Sequence, residues 1–363
     1  MNKNLSELLG IKSTNVNLLK FICAILVIVG HANPITGTGV DILTEYTGGE
    51  CSFGGLAVGV FFFFSGLYVT KSLSKTVNLR TYLAKRVERI FPQLAVVILI
   101  SAFVLGPIFT SLPIGTYFLS PGTYTYLLNA VLIPIHNLPG VFEGLPYQTV
   151  NGPLWTLPVE FACYLMLWAI SLILIIATKT KSQSDLSGIV GNKAFRVLLW
   201  IAGGVALIIF VTVFYVLKNE FLISVVRPIV IFIEGSLYYQ YREKIKVNWI
   251  AGLIMAMILA LSGLAGCFSI GMILLLPYIT VALTLGIPQI KADWTVFKVS
   301  YEMYLLGWPI QQLLLLVFKG NMSAIANVLL AVPIDIVIAS ALYISINPLV
   351  DRLLSVRTVK KQI

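Results

Sequence analysis

The sequence predicts an all-α membrane protein, a polytopic bundle of about ten transmembrane helices with both termini in the cytoplasm. Three observations lead there. Of 363 residues, 58% are hydrophobic and 11% charged, with a mean hydropathy of +0.93. A soluble domain carries about 25% charged residues, and its core has no use for so much apolar surface. Apolar runs near the ~20 residues needed to cross a bilayer recur along the chain. The basic residues alternate from one connecting segment to the next in step with those runs.

The runs place spans at 16–32, 53–70, 89–110, 153–178, 196–217, 221–240, 248–264, 268–287, 299–318 and 324–346. The fourth starts behind Asn151, a residue type that caps helices, with Pro153 in the first turn. A weakly marked turn near Ser262–Phe268 divides the seventh from the eighth. With the N-terminus inside, 22 of the 25 Lys and Arg residues fall in cytoplasmic segments. Lys3, Lys12 and Lys20 lead, and the tally runs through Lys71–Arg89, Lys179–Arg196, Arg242–Lys246 and Lys291–Lys298 to Arg352–Lys361. Outside are Lys218 and Lys319, and Arg227 lies within a span. Segments 33–52 and 111–150 are the sizeable outer loops. The second holds no Lys or Arg and is rich in Pro, Tyr and Leu, as expected of a loop packed on the membrane surface. The reading is one membrane domain over 1–363, with no fused extracytoplasmic domain, no cleavable signal peptide and no inverted repeat of the transporter type.

The net charge of +10 follows from this topology and does not call for nucleic acid. Four cysteines, Cys23, Cys51, Cys163 and Cys267, and two histidines, His31 and His136, have no metal-ligand spacing, so no metal site is expected. Cys51 and Cys267 both fall at the outer face, where a disulfide is permitted.

Ionisable groups inside spans are costly and mark function. Here they are His31, Glu160, Arg227, Glu234, Glu302 and Asp335. His31 closes the first span, eleven residues after Lys20, which puts the two near one helical face. Glu160 lies about two turns into the fourth span at a depth similar to His31. A carboxylate there is able to orient the imidazole and raise its basicity. The plainer readings are an interfacial histidine, a snorkelling lysine and a protonated glutamate. Arg86 and Arg89, three apart at the inner edge of the third span, suit bidentate phosphate contacts or simply fix the topology. Arg227 and Glu234 are too far apart to pair, and a structural ion pair, with Asp335 as one partner for Arg227, is the simpler reading.

These segments together resemble the membrane-bound acyltransferase family 3, the polysaccharide O-acyltransferases. The shared elements are Lys20 and His31 (a basic residue, ten others, a histidine); Phe61-Phe-Phe-Phe-Ser65-Gly66; Lys85-Arg86-Val-Glu-Arg89-Ile-Phe-Pro92; Trp155, Thr156, Leu157, Glu160 and Tyr164; and Ser300, Tyr301, Tyr304, Leu305 and Pro309. They run in family order over almost the whole chain. One departure stands out: Gly307 replaces the late histidine, which leaves His31 with more weight.

The resemblance implies transfer of an acyl group, usually acetyl, from cytoplasmic acyl-CoA to a hydroxyl of an extracytoplasmic sugar or polysaccharide, with no tightly bound cofactor. His31 and Glu160 are then the catalytic pair. Lys20, Arg86 and Arg89 hold the phosphates of the donor, and Ser65, Trp155, Asn151, Tyr164, Tyr301 and Tyr304 support the site. His31 acts as base on the acceptor or carries the acyl group first. The expected setting is a bacterial cytoplasmic membrane, with lipid as the other partner. A transporter or flippase for a small anion or lipid-linked sugar also fits ten spans and buried charges. The missing repeat speaks against it.

Overall fold

All ten predicted spans are helices in the computed structural model, which describes residues 3–11, 13–179, 186–291 and 294–359. They are α1 (Thr14–Thr36), α2 (Phe53–Ser74), α3 (Leu79–Ile100), α4 (Thr156–Ala177), α5 (Lys193–Val211), α6 (Glu220–Gln240), α7 (Trp249–Leu264), α8 (Phe268–Thr284), α9 (Ser300–Val317) and α10 (Ala324–Val359). Among the described residues seven helices are long and apolar enough to cross a membrane: α1 to α6 and α10. The chain is therefore an all-helical, multi-pass membrane protein. Helices α7 and α8, of 16 and 17 residues, are apolar but shorter. Of the predicted basic tally, Lys12, Lys181, Lys360 and Lys361 lie outside the described residues.

The third helix starts ten residues before the predicted span. The Asn78 side chain accepts the Thr81 N–H at 2.9 Å and so caps it at Leu79. Arg80, Lys85, Arg86 and Arg89 thus lie on helix, not in a connecting segment. At its far end α3 runs through a π-turn, Ser101–Leu105, into Gly106–Phe109.

The chain forms two compact units. One comprises Met1–Cys23, Ile42–Arg86 and Val159–Asp293, the other Ala24–Asp41, Val87–Pro158 and Trp294–Ile363. In the first, α2 and α6 pack backbone to backbone. A Cβ on Gly66 would sit 1.9 Å from the Phe232 carbonyl oxygen, and one on Gly235 2.2 Å from that of Phe63. Only glycine permits that approach. Asn15 ties the start of α1 to the segment after α8, donating to the Thr284 and Pro288 carbonyls and accepting from the Ile290 N–H. Lys3–Asn4 pairs antiparallel with Lys246–Val247.

In the second unit α9 and α10 form a hairpin, joined by Gln311 and Asn327, which donate to each other's oxygens at 2.9 and 3.1 Å. Ile35, Trp308, Leu315 and Met322 make an apolar core there. The segment 111–150 is folded rather than loose. It carries short helices at Ile114–Leu119, Pro121–Thr125 and Tyr126–Val131 and an isolated bridge between Thr110 and Val141. A π-turn leaves carbonyls without their regular helical donors. The Tyr117 hydroxyl takes one of them, Ala102, at 2.6 Å. Gly106 leaves the room, since a Cβ there would fall 1.9 Å from the Tyr117 oxygen. Burial pushes the Tyr117 phenol above its ordinary pKa, which keeps it a donor.

Candidate active site

The first unit holds five of the predicted residues, Lys20, Ser65, Arg86, Glu160 and Tyr164. Ser65 sits on α2 directly before the glycine that brings α2 against α6, so its position is set by that contact. Its hydroxyl donates to Glu160 Oε1 on α4 at 2.6 Å. Tyr164, one turn further along α4, donates to the same oxygen and lies 2.9 Å from the Ser65 hydroxyl. The three residues form a closed polar triangle in a span, and two O–H donors fix how Glu160 faces. Arg86 is buried against Tyr164. Its guanidinium donates to Ser72 at 3.2 Å and lies 5.7 Å from the ring centres of both Tyr82 and Tyr164. Such faces favour a cation where water is scarce. Tyr82 is locked in turn by donating to the Tyr164 carbonyl at 3.0 Å. Lys20 lies over the rings of Phe64 and Tyr68, at 5.3 and 5.7 Å. Both cations are thus set against aromatic rings.

The second unit holds the other predicted residues. His31 is half-buried on α1, and its Nδ1 is buried with no hydrogen-bond partner among the described residues. Its ring meets the edge of Trp308 at 4.9 Å. Pro309 has no N–H to give the Leu305 carbonyl one turn back, and Asn151 fills that place, its amide donating to Leu305 O at 2.8 Å. Asn151 is thus not the cap of α4 that the sequence suggested. It fastens the segment before α4 to α9. Tyr304 adds a bond to the Pro153 carbonyl at 2.8 Å and another to Thr156. Trp155 closes the 3₁₀ turn Pro153–Trp155. Tyr301 donates to the Ile90 carbonyl at 2.8 Å. At Gly307 a Cβ would lie 2.9 Å from Ile28. Arg89 is exposed, unlike Arg86 on the same helix, and is within electrostatic reach of buried Glu302.

One expectation changes, and one open pairing is answered. Among the described residues Arg227 has no carboxylate partner: its guanidinium donates to the Glu50 carbonyl at 2.9 Å and the Ser269 hydroxyl at 2.8 Å. Among the described residues Cys51 and Cys267 form no disulfide, and Cys51 Sγ faces the Met272 sulfur at 3.7 Å. Three residues at these sites escaped the sequence reading: Tyr82, Trp308 and Gln312. Tyr82 lies one helical turn before Arg86, and Trp308 adjoins the departure at Gly307. An aromatic in an apolar span carries no signal of its own.

Polar groups of this kind, fixed inside apolar helices, mark a functional site rather than a passive bundle. Residues 13–344, nearly the whole chain, match the family model of an acyltransferase domain. The chain belongs to that family, acyltransferase family 3, and is an acyltransferase. It is similar to a protein of Shigella phage Sf6 named O-acetyl transferase, 24% identical over 315 residues that cover 84% of this chain and 86% of the phage protein. No solved structure matches.

Proposed function

We propose that the protein transfers an acetyl group from acyl-CoA on the cytoplasmic side to a hydroxyl of an extracytoplasmic or surface sugar, as a membrane O-acetyltransferase. The observation that carries this reading is the family match, which spans His31, Glu160 and all three proposed phosphate-binding residues. The name of the phage relative supports the acetyl group and the oxygen acceptor. The basic asymmetry supports ten spans with both termini in the cytoplasm of a bacterial cell. Donor phosphates are then available to Lys20, Arg86 and Arg89 at the inner edge, and no tightly bound cofactor takes part.

In the proposed step, the His31 imidazole removes the proton of the sugar hydroxyl as its oxygen attacks the thioester carbonyl. The carbon–sulfur bond breaks, CoA leaves as the thiolate, and the proton passes from the imidazolium to that sulfur. Glu160 is the carboxylate of the same step, its direction fixed by Ser65 and Tyr164. Charge-assisted contacts from arginine suit the phosphates of the donor.

The test is turnover by membranes containing correctly inserted variants, with acetyl-CoA as donor and the native glycan as acceptor. His31→Ala should lose about 10²–10⁴ in rate, the worth of a general base. Glu160→Gln should also cripple turnover, and the double variant should lose little more than His31→Ala alone, since groups acting as a unit are non-additive. Near wild-type turnover by His31→Ala overturns the assignment and leaves His136 as the other histidine to test.

A further inference from the structure

A catalytic imidazole is ordinarily aimed by a hydrogen bond at the ring nitrogen that does not react. His31 lacks that device, because its Nδ1 is buried without a partner among the described residues. What touches the ring is an aromatic edge. Trp308 meets it at 4.9 Å with the planes 72° apart. Trp308 is itself held from several sides. Its Nε1–H donates to the Thr149 carbonyl at 2.9 Å, and its six-membered ring lies against Gly152, where a Cβ would fall 3.1 Å away. Tyr147 meets it edge-on at 5.9 Å. Its remaining surface packs into the apolar core with Ile35 and Leu315.

The segment carrying those contacts is also fixed. Gln312 Nε2 donates to the Tyr147 carbonyl at 2.8 Å and to the Thr149 carbonyl at 3.0 Å. Asn151 fastens the same segment at Leu305. Leu305, Trp308 and Gln312 share one face of α9 by helical spacing. Gly307 supplies the approach: without a side chain there, α9 lies against Ile28, one turn before His31 on α1. The glycine where the family pattern has a histidine therefore brings the next residue, Trp308, to the base.

We propose that Trp308 is the positioning residue of the His31 imidazole, held to that task by the Gln312 and Asn151 latches on segment 147–152. This rests on His31 being the base, as set out above. Packing then does what a hydrogen bond does elsewhere: it limits the ring to the rotamer that faces the acceptor.

The experiment measures acetyl-CoA turnover, read as released CoA thiol, in native-acceptor membranes at varied donor concentration. Trp308→Ala should lower kcat roughly 10–100-fold, the cost of a misplaced catalytic group, with the donor KM within about twofold. Trp308→Phe, which keeps an aromatic edge, should recover most of that loss. Gln312→Met, which removes both carbonyl bonds at similar volume, should shift kcat in the same direction by less. A second readout needs no turnover. In a His136→Gln background His31 is the one histidine of the chain, so diethyl pyrocarbonate modification, followed by absorbance, reports its imidazole directly. Trp308→Ala should speed that modification severalfold, and Trp308→Phe should not. Unchanged kcat and unchanged modification rate in Trp308→Ala overturn the proposal. If His31→Ala itself turns over normally, the catalytic reading fails instead, whatever Trp308 does.

Discussion

Gly66→Ala is a one-carbon change whose effect follows from distances. The added Cβ would stand 1.9 Å from the Phe232 carbonyl oxygen, 2.9 Å from its carbon and 3.1 Å from the Ser236 nitrogen. Ordinary contact begins at 3.4 Å, so α2 and α6 have to part by about 1.5 Å, the difference between 3.4 and 1.9. The obstacle is backbone, which has no rotamer to yield. Overpacking of this kind costs about 1–3 kcal/mol. The functional cost is larger, because Ser65 is the preceding residue. Its bond to Glu160 is 2.6 Å long, and a shift of that size breaks it. Misplacing a catalytic group by about 1 Å costs on the order of 10²-fold in rate. Turnover of Gly66→Ala should therefore fall about 10²-fold while the detergent-solubilised protein melts at a lower temperature. Gly204→Ala, with open space around its Cβ, serves as the control and should change neither. A Gly66→Ala protein with wild-type turnover and melting temperature refutes the claim that backbone contact at this crossing sets the Ser65–Glu160 geometry.

Other consequences are as direct. Tyr164→Phe removes one of the two donors on Glu160 Oε1 and should lower turnover roughly 10–150-fold, as a lost charge-assisted bond does, with insertion unchanged by membrane fractionation. Arg86→Ala or Arg89→Ala should raise the acetyl-CoA KM, an effect that added salt should mimic for the exposed Arg89. Lys20→Arg should be tolerated and Lys20→Ala should not, in the same turnover assay. Reporter fusions at Gly140 and Met322 should register outside and one at Glu243 inside; reversal of two of these rejects ten spans. Thiol labelling of Cys51 and Cys267 should be the same with and without reductant, since no disulfide joins them.

The helices were legible because a bilayer imposes a length and an apolar composition that the chain displays openly. Their starts were not: α3 begins at Leu79 because Asn78 caps it, inside a stretch whose charges read as a connecting segment. Ser65, Glu160 and Tyr164 were legible through the motifs they share with the family, but their closure into a triangle was not. It depends on a glycine crossing, and glycine pairs look alike in sequence whether or not they touch. Asn151 was named for the wrong task. Its real partner, Leu305, lies 154 positions away, and the clue was Pro309, which leaves a carbonyl to be claimed. Trp308 carried no signal because one more aromatic in an apolar run is what a membrane helix is made of.

The folded segment 111–150 has a consequence for the order in which the molecule is assembled. Its first anchor, Tyr117 on the Ala102 carbonyl, joins residues only 15 apart. Both are available as soon as α3 and the start of the segment have been made, and so short a closure is fast. Its last anchors, at Tyr147, Thr149 and Asn151, wait for α9, more than 150 residues later in synthesis. Throughout that interval the near end of the segment is docked while the carbonyls of its far end lack their partners. The closing of that latch is thus a late step of biogenesis, and a nascent chain stalled before α9 should remain open to protease at 147–152 while the region around Tyr117 is already protected.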